Sequence, residues 1–186
     1  MKPTEELKAE HRVIERMLDV LLAAAAKLEA GEAVPPEHLN QSVDFIRTFA
    51  DRCHHGKEED LLFTAMEEAG FPKETGPIAV MLAEHDQGRA FVREMAAAAE
   101  AYADGDADAG RTFARNARGY AALLADHIAK EDNILYEMAD QRLPAEKQRE
   151  LAAAFERVER ERIGPGQHEA YHRLVDELSR EYGVGE

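Results

Sequence analysis

The sequence contains no tryptophan, a single cysteine, seven prolines and only 6% aromatic residues. With Cys53 alone, no internal disulfide framework can form, and a reducing compartment is the simplest home. No apolar run approaches the ~18 residues that a membrane helix requires. The opening residues, Met1 to Glu6, hold no stretch resembling a signal peptide, so a cytoplasmic location is expected. Positive charge is scarce too: 23 Lys and Arg face 38 Asp and Glu, for a net charge of −15. That balance argues against nucleic acid, whose binders need a basic surface to displace counterions, and equally against anionic membranes.

What is present favours helix. Ala, Glu, Leu and Arg dominate, and β-branched residues are few. Turn residues gather at 31–36, 70–76, 104–108, 143–144 and 164–166. They delimit four long stretches, about 4–30, 36–69, 76–103 and 107–142, and two shorter ones, about 144–162 and 166–182. Apolar seams run through the long stretches in steps of three and four: Leu7, Ile14, Leu18, Leu21, Ala25 and Leu28 in the first; Ile78, Met81, Val92, Met95 and Ala99 in the third; Tyr120, Leu124, Ile134 and Met138 in the fourth. This pattern predicts an all-α fold, an up-down-up-down four-helix bundle over residues 1–143. Residues 144–186 form a C-terminal extension of two further helices, packed outside the bundle or across one end. At 186 residues such a core needs no metal merely to fold.

Polar residues interrupt those seams. His11, His85 and His127 each stand where an apolar side chain belongs, and Glu131 follows His127 by one helical turn. The second stretch offers Cys53-His54-His55-Gly56-Lys57-Glu58-Glu59, with two alternatives a quarter turn apart. His54, Glu58, Leu61 and Ala65 continue the side begun by Ile46 and Ala50; His55, Glu59, Leu62 and Met66 form the other stripe. Periodicity leans to the first. Counting residues from each turn places His11, His54, Glu58, His85, His127 and Glu131 at one height, within ~3 Å along the bundle axis. A buried carboxylate is costly unless paired, and a metal ion pairs it efficiently. Four imidazoles and two carboxylates without a thiolate suit iron, manganese or zinc. Six ligands exceed the four of a structural zinc and fit two octahedral ions bridged by the carboxylates.

These residues resemble the hemerythrin-like, HHE cation-binding family. The resemblance rests on Glu10-His11, His54-His55-Gly56-Lys57-Glu58-Glu59 with Leu62-Phe63, Glu84-His85-Asp86, and His127-Ile128-Ala129-Lys130-Glu131 with Leu135, and covers about residues 4–142. It implies two non-haem iron ions with an oxo or hydroxo bridge, manganese or zinc being secondary. It also selects His54 and Glu58 as the second-helix ligands, with Glu59 as an outer acid. Oxygen-carrying members place a second histidine four residues after the third-helix one; this chain has Arg89 there. That departure opens a coordination position and points away from simple oxygen carriage, toward sensing, peroxide-handling or nitric-oxide-related branches. His55 is one candidate for the missing ligand. His168, one turn before His172 and just after a glycine-rich turn, is a second candidate as ligand or proton donor.

The functional expectation is therefore a di-iron protein that binds O₂, peroxide or NO in a redox, sensing or peroxide-detoxifying role, as monomer or homodimer. The alternative is an iron or oxygen storage and delivery module, including Fe–S cluster repair. A third reading is a scaffold holding zinc or no metal.

Overall fold

The computed structural model describes residues 1–185. Six helices account for nearly all of them, and no strand occurs among the described residues. They are α1 (Pro3–Glu29), α2 (36–68), α3 (Gly76–Ala103), α4 (107–142), α5 (145–163) and α6 (Gln167–Tyr182). Each boundary lies within one or two residues of the turn signals in the sequence. The helices stop where local chemistry stops them. The Glu5 carboxylate accepts from the Lys2 backbone N–H at the start of α1, and Gly31, at φ +76°, turns the chain out of it. Asp106 caps α4 by accepting from the N–H groups of Asp108 and Ala109.

Helices α1 to α4 form the bundle. Gly119 lets the Phe91 ring of α3 pack against α4, since a Cβ there would stand 2.5 Å from that ring. Two apolar clusters fill the interior. One gathers Ile14, Leu18, Leu21, Phe45, Phe49, Met95, Phe113 and Leu124; the other gathers Leu7, Phe63, Met66, Met81, Tyr136 and Phe155. Between them lies a polar layer. The two C-terminal helices brace both sides of it. Helix α5 inserts Leu151 and Phe155 into the second cluster, and α6 inserts Val175 and Leu178 into the first.

Helices α2 and α4 are not uniformly α-helical. Residues Ile46–His55 and Glu58–Leu62 of α2, and Glu131–Leu135 of α4, wind as π-helix. Such wide turns are uncommon and concentrate at functional positions, because they present more side chains to one side than an α-turn does. Here they coincide with the polar layer. A fourth π segment, Glu159–Ile163, ends α5.

Candidate metal centre

The structure brings His11, His54, Glu58, His85, His127 and Glu131 together from four helices, and adds His55 to them; all seven are buried. Their donor atoms fall into two groups, each with its atoms within 4.8 Å of one another. One group is His11, His54, Glu58 and Glu131; the other is His55, Glu58, His85 and His127. Glu58 belongs to both. Glu131 also spans them, with its Oε2 3.2 Å from His11 Nε2 and its Oε1 3.2 Å from His127 Nε2. The two stripes left open on α2 therefore both contribute. His54 and His55 sit in a π segment of α2, and each enters a different one of the two donor groups.

Each of the five imidazoles is held from behind by one carboxylate. Nδ1 of His11 donates to Asp132 (2.7 Å), that of His54 to Glu10 (2.8 Å) and that of His55 to Asp51 (3.2 Å). Nδ1 of His85 donates to Glu59 (2.7 Å) and that of His127 to Glu84 (2.9 Å). An ionised carboxylate only accepts, so the ring proton belongs on Nδ1 and the Nε2 lone pair faces inward. Each carboxylate is in turn fixed by a cation: Asp132 by Arg12, Glu10 by Lys57, Asp51 and Glu59 by Arg89, and Glu84 by Lys130. Arg89, which occupies the position of the absent third-helix histidine, thus orients the supports of both His55 and His85.

The inward-facing atoms lack partners. His54 Nε2, Glu58 Oε2 and both carboxylate oxygens of Glu131 are buried without a hydrogen bond. His85 Nε2 and His127 Nε2 approach to 3.1 Å, a distance two lone pairs tolerate only with a proton or cation between them. Leaving two carboxylates so buried costs several kcal/mol each unless a positive charge joins them. Imidazole and carboxylate donors converging without a thiolate fit a borderline transition metal, and the residues present match that requirement. Tyr136 completes the floor. Its phenol donates to Glu58 Oε1 at 2.6 Å and stacks on His11 with centroids 5.5 Å apart. Burial, with Glu131 and Glu58 nearby, pushes its ionisation well above the ordinary range, so it stays a donor.

Charge balance follows the same geometry. Burial alone would lower His11, but the Asp132 carboxylate at Nδ1 and the nearby Glu131 carboxylate outweigh it and would hold the ring up at about 9 while no metal occupies Nε2. Burial opposes His85 likewise, and Glu58 and Glu59 hold it up at about 10. Burial and the neighbouring His85 push His55 well below its usual value, against Asp51. Burial works to raise Glu58, yet His54, His85 and His127 keep it well below the carboxylate range.

Behind His54 lies a second polar cluster that ties the C-terminal helices to the site. Lys57 is fully buried and donates to Glu6 (2.7 Å), Glu10 (2.6 Å) and Glu159 of α5 (2.7 Å), so its three protons are all used. His168 of α6 does not reach the donor groups. Its Nε2 stands 3.5 Å from Glu10 Oε1, on the far side of the carboxylate that holds His54. Cys53 is a buried core residue whose thiol burial pushes up to about 12, which leaves it unreactive.

A cavity of 240 Å³ between α2 and α3 reaches His55 and His85. Four other surface pockets touch none of the seven buried residues.

Sequence reasoning named Glu59 as an outer acid and quoted Glu10, Lys57 and Glu84 within the motifs, but gave the last three no role and passed over Asp51 and Asp132. One signal was available: Asp51 lies one turn before His55. The other four pairs cross between helices, so spacing along the chain does not disclose them.

No solved structure matches the chain. Uncharacterized proteins of Mycobacterium bovis and Mycobacterium tuberculosis are 29% identical to it over 180 residues, covering 97% of this chain and 70% of each relative. No helix among the described residues is long and apolar enough to cross a membrane. Residues 2–139, which carry all seven residues of the two donor groups, match the Hemerythrin HHE cation binding domain, and the chain belongs to that family.

Proposed function

We propose that the protein holds two metal ions, iron by preference, in the paired His/Glu groups, and that it binds a small ligand such as O₂, peroxide or NO there. His11 and His54 would serve one ion and His55, His85 and His127 the other, with Glu58 and Glu131 shared. The observation that carries this reading is the uniform orientation of five imidazoles. Each Nδ1 is occupied by a carboxylate, and each ring joins one of two donor groups that share Glu58, where Glu58 Oε2 and both oxygens of Glu131 have no hydrogen-bond partner. His55 takes the place that the family's second third-helix histidine would fill. Bound iron would supply Lewis acidity and electrons to such a ligand. The chain's own contribution is to bind and to exclude water. Arg12, Lys57, Arg89 and Lys130 fix the carboxylates, the carboxylates fix the rings, and Tyr136 fixes Glu58. The two apolar clusters keep solvent out from above and below.

The test is metal quantification of the isolated protein with an optical spectrum. Two irons per chain with near-ultraviolet and visible absorption are expected; zinc or no metal would overturn the reading. Peroxide consumption by the loaded protein then separates a redox role from storage or delivery of iron or oxygen, which would leave peroxide intact.

A further inference from the structure

The cavity beside His55 and His85 differs from its surroundings in charge. The protein carries a net −15, yet three arginines line this opening: Arg47 on α2, and Arg89 and Arg93 on α3. They are not equivalent. Arg89 is committed to Asp51 (2.8 Å), Glu59 (2.7 Å) and Asp86 (3.1 Å), and serves as a strut in the wall. Arg47 and Arg93 are exposed at the mouth, and neither has a carboxylate within ion-pair distance among the described residues. Beyond them the passage is walled mainly by Ile46, Val92 and the Tyr120 ring, its two charged wall groups, Asp51 and Arg89, neutralising one another as an ion pair. Gly88 lines it without a side chain, and a Cβ there would stand in ordinary contact with the Tyr120 ring at 3.5 Å. The inner end is the stacked pair His55 and His85, with ring centroids 3.9 Å apart.

From a cationic mouth, an apolar throat and an imidazole floor, we infer that this cavity is an entry port selecting small, weakly hydrated monoanions, of the size and charge of azide or nitrite. The inference deepens the proposed function and rests on it, since the port leads to the His55, His85 and His127 side of the centre. Arg47 and Arg93 also border a groove carrying Asp44, Glu100 and Asp104, but no carboxylate among the described residues pairs with either, so the mouth is locally positive on a strongly acidic protein and a low-dielectric cleft focuses that field on an incoming anion. The throat then rejects ions that keep their hydration shell, such as sulfate and phosphate, because its few donors, the Tyr120 phenol and an Arg89 already committed to carboxylates, cannot replace that shell. Neutral ligands pass the throat but gain nothing from the mouth.

The test compares wild type with the double variant Arg47→Gln/Arg93→Gln. Neither side chain touches the donor groups, and metal content and circular dichroism verify that the comparison is between folded, equally loaded proteins. Stopped-flow spectra record association of azide and, as the uncharged control, of nitric oxide. The ratio of azide to nitric oxide association rates at low ionic strength should fall by about tenfold in the variant. The wild-type azide rate should drop with added salt while the variant's stays nearly flat. Equal ratios in the two proteins, or no optical response of the metal-loaded wild type to azide, would overturn the port. A second measurement needs no redox-active metal: backbone amide shifts of Gly88 and Tyr120 are followed as azide is titrated into the zinc-loaded or metal-free protein. Saturable shifts in wild type, weakened in the variant and not reproduced by sulfate, are expected; their absence sinks the port whatever the metal content shows. A metal-free isolated protein with intact shifts would refute the di-metal reading and leave the anion port standing.

Discussion

The two halves of the polar layer are built from the same parts and finished differently. The His11 and His54 half is sealed. Its supports, Asp132 and Glu10, are backed by Arg12 and by the fully buried Lys57, and α5 and α6 cover that side with Glu159 and His168. The His55, His85 and His127 half is open. Its supports lie nearer the surface, and the cavity between α2 and α3 reaches two of its rings. A sealed half holds its geometry with little exchange, while an open half admits a ligand at the expense of exposing its scaffolding. The difference teaches that identical donor types need not share a role; what surrounds the ring decides whether it anchors or receives.

The contrast can be broken at its shared member. Glu58→Ala removes a side chain that belongs to both groups, so both ions should be lost and metal content should fall to near zero. The opposing imidazoles are left to repel, and destabilisation of about 3–5 kcal/mol is expected from urea unfolding. Metal analysis that finds two ions in this variant would show that the halves are independent. Lys57→Met acts on the sealed half alone. It strands Glu6, Glu10 and Glu159 without their cation, again about 3–5 kcal/mol, and it frees Glu10 from the geometry that holds His54. Stoichiometry should drop from two toward one, with the remaining ion on the open half. Loss of both together would mean the open half depends on the sealed one.

Smaller changes sharpen the comparison. Asp51→Asn leaves His55 in place but weakens its support, and should lower metal affinity on the open half by about 10–100-fold in competition titrations. Acid and alkali should also discriminate. His11 and His85 are held up at about 9 and 10, so after chelation their protonated rings stabilise the fold fully below the ordinary 6.5; that contribution fades as pH rises through 9 to 10. His55 is held down, so its effect has the opposite sign, with stability lost as pH falls below 6.5. Chelated protein should therefore unfold more easily at pH 10 than at pH 7.5. Metal-loaded protein should not show this alkaline loss, since ligation already requires neutral imidazole.

Much of this was legible in the residues. The seams and turn signals give all six helices, because a bundle's pattern depends only on 3.6-residue winding and on glycine and proline punctuation. Counting from the turns also places His11, His54, Glu58, His85, His127 and Glu131 at one height, and the structure buries all six in one layer. The sequence reading faltered on α2. His55 and Glu59 were set a quarter turn aside on the assumption that one stripe of α2 would face the layer; the offset persists, and the two stripes serve adjoining donor groups, His54 in one and His55 in the other. Supporting carboxylates such as Glu10 for His54 and Glu84 for His127 are tertiary pairings, invisible until the helices are docked.

The π turns have a further consequence, for how the gene can change. Each one takes up one residue more than an α-turn in about one revolution, so the stretches on either side keep their phase. The α-helical stretch Ala107–Lys130 has no such wide turn to absorb a change of length. Deleting one residue there would rotate His127 and everything after it by about 100° relative to the start of α4. His127 would leave Glu84, and the Tyr136 phenol would leave Glu58. A deletion of the same length in the turn at 104–106 rotates nothing inside the core. One-residue length variation in this lineage should accordingly collect in the turns and at the π segments, and spare the α-helical stretches, even at positions where the side chain itself faces solvent.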